Sequence, residues 1–487
     1  SPLLGAFIEP APTNRLFRND GGFKFTDVTE AARAGELGFA LGVAVADYDN
    51  DGDQDLFISN FGSVVLLENN GDGTFTRREL ANTHDAPRIG TGVVLLDVDG
   101  DGNLDLYVAN YVKFDFSKGV SRHIFGVPAA PGPKDYLPDS DSLYRNLGDG
   151  RFIDVSDSSG IAAVAGQGMG AISFDYNSDG RPDVFVCNDT SPNFLFENVG
   201  DFKFEEVGLI SSLAYDVTGS SQASMGVDIG DFNRDGLLDL VTTNFADETP
   251  TLYENSGEAY FDDRGPSLGL GVANHHVTWG VAFADFDNDG WLDLMIAAGH
   301  LFDSVSALNS TNEFAIANYV LKNIQGQKFK DVSSDSPAIK QTRQVTRGIA
   351  LEDFDNDGAV DAVLLNLNDQ PQLLRNESPA RGHYLQMSLV GGTSNRDAVG
   401  ALVTVEYNGA KQLQSVVSGR GYQSHYGSRL HFGLGDHAFV DAIEVRWPSG
   451  ETQRFEKTAA DQSILIREGV NQLFNLGGFA SGSSMGK

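Results

Sequence analysis

The stretch DYDNDGDQD at Asp47–Asp55 decides the fold, because it returns five times along the chain. The other copies are DVDGDGNLD at Asp97–Asp105, DYNSDGRPD at Asp175–Asp183, DFNRDGLLD at Asp231–Asp239, DFDNDGWLD at Asp285–Asp293 and DFDNDGAVD at Asp353–Asp361. Successive starts lie 50, 78, 56, 54 and 68 residues apart, a spacing that fits propeller blades. A short apolar run precedes each copy, as in Gly42–Ala46 and Gly280–Ala284, and another follows, as in Leu56–Ser59 and Leu240–Thr243. A second phrase comes next: LLEN to Asn69, LYRN to Asn146, LFEN to Asn198, LYEN to Asn255, VLKN to Asn323 and LLRN to Asn376. Most copies then turn through Gly into an aromatic run at Phe75, Phe152, Phe204, Phe261 or Phe329. Each unit therefore reads as four short antiparallel strands, A to D, with the acidic loop joining A to B. A solenoid is the competing arrangement, but four-strand units of this length favour radial repetition.

A seventh copy of the second phrase stands at the N-terminus, RLFRN at Arg15–Asn19 followed by FKFTDVT at Phe23–Thr29, with no strands A and B before it. A ring closed with strands from both chain ends leaves no exposed edge. The expected fold is all-β: a calcium-binding β-propeller plus a small C-terminal β-rich domain. Seven blades are favoured and six are possible, since the last unit lacks its own strand D. The boundaries read as an extension at 1–14, the propeller at 15–380, the β domain at 381–470 and a Gly/Ser-rich flexible tail at 471–487.

Metal chemistry follows from the loop pattern D-x-[D/N]-x-D-G-x-x-D. Position 1 is Asp47, Asp97, Asp175, Asp231, Asp285 and Asp353, and position 3 is Asp49, Asp99, Asn177, Asn233, Asp287 and Asp355. Position 5 is Asp51, Asp101, Asp179, Asp235, Asp289 and Asp357, and Gly at position 6 permits the bend. Main-chain carbonyls at position 7 (Asp53, Asn103, Arg181, Leu237, Trp291, Ala359) and carboxylates at position 9 (Asp55, Asp105, Asp183, Asp239, Asp293, Asp361) can complete a shell. Hard oxygen donors in this number suit Ca²⁺, at about six sites. Ordinary Asp/Gly turns are the alternative, and six at one place in a repeat argue against them. Without cations the carboxylates of a loop repel one another, so calcium reads as part of the fold rather than as a switch.

Net charge is −34 and pI about 4.4, which repels nucleic acid and anionic membranes. No apolar run approaches the roughly 18–20 residues needed to span a bilayer. Cys187 is alone, so no internal disulfide forms. The chain begins at Ser1 rather than Met, which is compatible with a removed leader.

The acidic repeat and its L-x-x-N phrase resemble the FG-GAP/VCBS propeller repeats over roughly residues 15–376. That resemblance implies calcium and a propeller but no particular activity. NRDAVGALV at Asn395–Val403, SGRGYQSHYGSRLHFGLG at Ser418–Gly435 and IEVRWPSGETQRF at Ile443–Phe455 together resemble the ASPIC/UnbV domain of the cartilage acidic protein 1 and UnbV-like family. Membership implies a secreted, calcium-binding protein. No cysteine-rich EGF-like module follows the domain, so roles that need one are not carried over. Arg420, His425 and Arg429 within its glycine-rich phrase suit interdomain hydrogen bonds or a ligand site.

Blade geometry puts the A–B loops on one face and the B–C and D–A connections on the other. Two long B–C insertions, Tyr111–Ser140 and His300–Ala317, share the second face, where loops of that length are commonly functional. Strand B ends in Asn60, Asn110, Asn188, Asn244 and Asn366, which suit turn capping. The unrepeated groups Arg88, His123, Asp189, His276, His300 and Arg347 are the candidate ligand-binding residues. Of these, His276, His300, Arg88 and Arg347 are the catalytic candidates, the two histidines as an acid–base or metal-binding pair. No hydrolase elbow, P-loop or dinucleotide fingerprint is visible. Two functions stay open. One is a secreted, periplasmic or cell-surface propeller recognising a protein, glycan or small-molecule ligand opposite its calcium loops. The other is a lyase, dehydratase or cyclase with its pocket at the propeller mouth on that face.

Overall fold

Each acidic loop is flanked by runs too short for helices and apolar at nearly every position, so they pair as strands buried on both faces. The computed structural model describes residues 13–36, 38–80, 88–115, 122–124, 127–129, 131–303, 305, 312–378 and 381–476. It opens on a two-stranded hairpin, β1 (Phe17–Asn19) and β2 (Phe25–Asp27). Blade 1 is β3 (Ala40–Ala46), β4 (Asp55–Gly62), β5 (Val65–Asn69) and β6 (Phe75–Glu79), antiparallel and in sequence order as strands A to D. Blade 2 has β7 (Arg88–Leu96) and β8 (Asp105–Asn110) as A and B. Its long B–C connection carries β9 (Val112–Lys113), β10 (Arg122–Ile124), β11 (Val127–Ala129) and β12 (Leu137–Pro138) before strands C and D, β13 (Ser142–Asn146) and β14 (Phe152–Asp154).

Blade 3 is β15 (Gly168–Phe174), β16 (Asp183–Asn188), β17 (Phe194–Gly200) and β18 (Lys203–Glu206), and blade 4 is β19 (Val227–Gly230), β20 (Asp239–Thr242), β21 (Thr251–Asn255) and β22 (Phe261–Asp263). Blade 5 is β23 (Thr278–Ala284), β24 (Asp293–Ala298), β25 (Tyr319–Asn323) and β26 (Phe329–Asp331). Blade 6 has three strands, β27 (Thr346–Glu352), β28 (Asp361–Asn366) and β29 (Gln372–Leu374).

A glycine in or just before strand A of blades 1 to 5 lets the next blade approach at the axis. A β-carbon on Gly42 would lie 2.1 Å from Thr91 O of blade 2, and one on Gly226 would lie 2.2 Å from Trp279 O of blade 5. The phrase-ending Asn joins blades further out. Asn146 Nδ2 donates to Tyr48 O of the preceding blade (2.9 Å), as do Asn198 to Val98 O, Asn323 to Phe232 O and Asn376 to Phe286 O. Asn19 of the N-terminal hairpin donates to Phe354 O of blade 6 at 2.9 Å, in the same way. Leu16 and Val28 beside that hairpin pack on Ile58, Val65 and Leu67 of blade 1. The hairpin is thus the outer half of a seventh blade, seated between blades 6 and 1. Ring closure differs from the expectation that both chain ends would share a blade. The N-terminal hairpin forms its own sheet, and the C-terminal chain goes elsewhere.

The C-terminal domain is a sandwich. One sheet holds β30 (His383–Val390), β33 (Leu430–Gly435), β36 (Gln462–Arg467) and β37 (Phe474–Asn475), and β30 and β36 run parallel. The other holds β31 (Leu402–Tyr407), β32 (Ala410–Ser415), β34 (Phe439–Arg446) and β35 (Thr452–Ala459). Trp447, Phe432 and Met387 fill its core. Strand β37 carries the domain to Asn475, past the expected boundary at 470. The N-terminal extension through residue 12 and the tail from 477 to 487 lie outside the described residues.

Candidate metal loops and the axial mouth

All six acidic loops fold alike. The position-1 carboxylate accepts the N–H groups of positions 5 and 6: Asp47 takes Asp51 (3.0 Å) and Gly52 (2.8 Å), and Asp353 takes Asp357 (3.0 Å) and Gly358 (2.8 Å). Position 5 accepts from position 7, as in Asp53 N to Asp51 at 2.9 Å. Positive φ is needed at position 4 (Asn50, Ser178, Arg234, Asn288, Asn356) as well as at the position-6 glycine. This wraps the carboxylates of positions 1, 3 and 5 round one point. Among the described residues, Asp97, Asp99 and Asp101, Asp285, Asp287 and Asp289, and Asp353, Asp355 and Asp357 each bring carboxylate oxygens within 4.8 Å of one another. Loop 1 does so through Asp47, Asp49 and Asp55. Loops 3 and 4 have amides at position 3, Asn177 and Asn233. Asp287 Oδ1 and Asp355 Oδ1 are buried with no hydrogen-bond partner, as oxygens meant for a cation would be.

The position-9 carboxylate, besides facing the metal point in loop 1, is tied into the fold. Asp55 accepts Tyr48 N (3.3 Å) and Asn69 N (2.8 Å), and Asp105 accepts Val98 N (3.0 Å) and Asn146 N (2.8 Å). Both oxygens tie the loop to strand C, and Asp183, Asp239, Asp293 and Asp361 repeat this. Burial pushes Asp55 and Asp361 up to about 7 and Asp105, Asp183 and Asp293 up to about 8. At position 7, Leu237, Trp291 and Ala359 have only main-chain oxygen to offer. Trp291 instead lies under the Arg234 guanidinium, 3.8 Å from the ring centre. Arg181 turns its side chain to Asp179 and Asn198 O.

The sandwich sits on this loop face. Arg396 Nε reaches Asp47 (3.2 Å), Gln386 Nε2 donates to Asp353 (2.8 Å), and Arg446 lies 3.7 Å from Asp175. Arg429 bonds Glu352 (3.0 Å) and Asn356 (2.7 Å), and His431 Nε2 meets Asn288 Oδ1 at 2.7 Å. From the sandwich, residues 418–426 run down the propeller axis. Gly421 bridges Val227 of blade 4, and a β-carbon on Gly419 would meet Val93 O of blade 2 at 2.1 Å. Arg420 Nε donates to fully buried Asp228 at 2.7 Å, and Tyr426 OH to the same carboxylate at 3.2 Å. Gly419 N donates to His425 Nδ1 (3.2 Å), so His425 is neutral, and burial lowers it to about 4. Arg420, His425 and Arg429 therefore serve the interface between the domains.

The tip of this plug reaches the far mouth. Tyr422 packs edge-on against Trp279, with ring centres 5.2 Å apart, and Arg347 covers the same indole at 3.8 Å. Arg347 also donates to Gly299 O (3.2 Å) and His300 O (3.3 Å), and burial lowers it to about 10. The His300 ring lies 5.8 Å from Phe245 and 5.6 Å from Phe302. Asp189, raised to about 6 by burial, accepts Tyr111 OH at 2.6 Å and shares the field of Tyr422. Arg347, His300 and Asp189 are thus gathered round the plug tip. The other candidates are not. Arg88 is tied to Ser140 O (2.7 Å) and Ser142, and His276 faces Tyr319 OH on strand C of blade 5. His276 lines a separate cleft with Tyr319, Lys340 and Arg343, so the proposed pair with His300 is not formed. His123 lies in β10 opposite Pro128. Trp279, Tyr422 and Tyr111 went unread. Trp279 and Arg347 precede the strand A glycine where other blades have Leu41, Thr91, Met169 and Met225, so the odd residues at that position were the available signal.

The loop and sandwich geometry agrees with two family models. The FG-GAP-like repeat matches residues 6–58, 47–108, 134–186, 175–242 and 231–296, over half of the chain. The chain belongs to the FG-GAP-like repeat family. Its sandwich matches the ASPIC and UnbV model at residues 391–473. This FG-GAP chain is similar to cartilage acidic protein 1 of Homo sapiens, at 28% identity over 306 residues, covering 61% of this chain and 43% of that protein. The Xenopus tropicalis protein is 26% identical over 442 residues, covering 88% and 64%. The chain therefore spans less than two thirds of these relatives' length. Among solved structures it resembles a lectin of Agrocybe aegerita described as recognising non-reducing terminal N-acetylglucosamine (TM-score 0.45, 17% identity, 75% of this chain and 91% of the lectin). It also resembles the Dos1 propeller (TM-score 0.37, 8% identity, 92% and 94%). No helix among the described residues is long and apolar enough to cross a membrane.

Proposed function

We propose that this FG-GAP chain is a secreted calcium-binding propeller that recognises an extracellular protein, glycan or small-molecule ligand at the axial mouth opposite its metal loops. One observation carries the reading. The plug fills the axis from the loop side and delivers Tyr422 to Trp279 and Arg347 at the far mouth. Trp279 is buried beneath Tyr422 and Arg347, so the partly exposed phenol and guanidinium, held on a rigid ring, are what a planar or polar ligand would meet. Binding is favoured over catalysis because the two histidines face different neighbours and the plug occupies the channel where a deep pocket would lie.

In the loops, calcium would be held by the carboxylates of positions 1, 3, 5 and 9, and by Asn177 and Asn233 where these replace Asp. The ion would neutralise the loop and fix the turn on which the sandwich rests. Two measurements test the proposal. Equilibrium dialysis with elemental analysis should find about six calcium ions per chain, and uptake of none refutes the metal assignment. A glycan and peptide array probed with the parent and with Arg347→Ala should give signals that the variant loses. Undiminished binding by Arg347→Ala refutes the mouth.

A further inference from the structure

The residue before the phrase-ending Asn differs in charge from blade to blade. It is Glu68, Glu197 and Glu254 in blades 1, 3 and 4, but Arg145, Lys322 and Arg375 in blades 2, 5 and 6. On strand C this position faces the acidic loop of its own blade. Arg145 Nη2 lies 2.7 Å from Asp99, and Arg375 Nη2 lies 2.8 Å from Asp355 and 3.5 Å from Asp357. Lys322 Nζ sits against Asp287 and at 3.1 Å from Asp289. Each basic group thus touches the position-3 carboxylate, and two of them reach position 5 as well. Arg381 adds a second cation to loop 6, 3.0 Å from Asp357.

The glutamates do the reverse. Glu197 Oε1 accepts from Asn177 Nδ2 (3.2 Å), and Glu254 Oε1 accepts from Asn233 Nδ2 (3.2 Å), so each brings a carboxylate to a loop that has an amide at position 3. Glu68 adds to the three aspartates of loop 1 and accepts from Tyr48 OH at 3.1 Å. The counter-charges of Glu68 and Glu254, Arg78 and Arg264, approach from the strand D side, away from the loop. Loop 3 has Arg181 on Asp179, which offsets part of what Glu197 adds.

We infer that this strand C residue sets the calcium affinity of its loop. Arg145, Lys322 and Arg375 act as tethered cations that occupy loops 2, 5 and 6 when the ion is away and must be displaced when it binds. Loops 1, 3 and 4 carry no such strand C competitor; loop 4 holds calcium most tightly, since Arg396 from the sandwich lies on Asp47 of loop 1 and Arg181 lies on Asp179 of loop 3. The affinity of an oxygen cage scales with the charge of its donors, which is what this position varies. The inference rests on the proposed calcium loops. It adds that they fall into two classes, so the ring keeps part of its calcium and exchanges the rest.

The test is calorimetric titration of the chelator-stripped chain with CaCl2, for the parent, Lys322→Met and Lys322→Arg, with melting of each in EDTA and in excess calcium. The parent should titrate in a tight and a weak group. Lys322→Met should move one weak ion to roughly tenfold higher affinity, since a unit charge a few ångströms from a dication is gone. It should also melt below the parent in EDTA, having lost its stand-in cation, but not below it in calcium. Lys322→Arg should behave as the parent. Arg145→Gln repeats the test at loop 2 if Lys322→Met does not fold. A weak group unchanged in Lys322→Met, or lower melting in both conditions, marks an ordinary ion pair and overturns the inference while leaving the calcium loops intact. No uptake by the parent overturns both.

Discussion

Replacing Arg420 with methionine removes the single charge that balances Asp228 at the propeller axis. Asp228 is fully buried and accepts Ile229 N (2.9 Å), Phe283 N (2.7 Å), Tyr426 OH (3.2 Å) and Arg420 Nε (2.7 Å). Burial raises its pKa, and the Arg420 guanidinium opposes that rise. With Arg420 gone, three neutral donors remain for a carboxylate far from water. Breaking a buried ion pair on one side costs about 3–5 kcal/mol. Asp228→Asn alone strands the guanidinium and should cost a similar amount. The double variant should recover about 2–3 kcal/mol of the summed loss, because neither charge is then left unpaired. Urea unfolding followed by tryptophan emission reads this directly, since Trp279 packs against the plug residue Tyr422. A cost below about 1 kcal/mol for Arg420→Met, or a double variant equal to the sum of the singles, would show that the plug is not anchored through this pair.

Three further outcomes are expected. In EDTA the chain should lose stability as pH rises from about 4 towards 8, because Asp55 and Asp105 titrate at about 7 and 8 when folded but near 3.9 when unfolded; melting midpoints that stay flat across this range refute it. In calcium, His431, lowered to about 3 by burial and by Arg429, contributes stability above pH 6.5 that is lost as pH falls, by roughly 1.4 kcal/mol per pH unit; an unchanged acid limb in His431→Gln removes it from that role. Asn146→Ala leaves Tyr48 O and Leu104 O without their donor and should cost about 2–4 kcal/mol in urea unfolding, where Arg145→Gln should cost far less; equal costs would refute the blade-joining role.

The blades were legible because their chemistry is local. A nine-residue loop carries its own donors, acceptors and left-handed positions, so its repetition spelled out strand pairs with little help from the rest of the chain. What lies across the chain was not. In the sequence the Asn of L-x-x-N only marks the end of a repeated phrase, yet Asn146 bonds a carbonyl 98 residues away. The strand A glycine read as the start of an apolar run, although its lack of a β-carbon serves the next blade. In the sandwich, β30 and β36 pair in parallel across 77 residues, which no local alternation announces. The glycine-rich phrase at 418–426 was read as bonding between domains, but its partner Asp228 stands 192 residues earlier in the chain. At the mouth, Arg347, His300 and Asp189 were chosen because they do not repeat. The same rule applied to aromatic residues would have added Trp279.

The route of residues 418–426 also sets an order of events. The chain is made from the N-terminus, and domains tend to fold as they emerge. Six blades can assemble before the segment that spans their hub exists. Until Arg420 is made, Asp228 has no guanidinium to face and the innermost glycines border an open hole. The ring is therefore completed from its centre by a segment made after every blade, and a chain truncated before Ser418 would hold every blade and lack its axle.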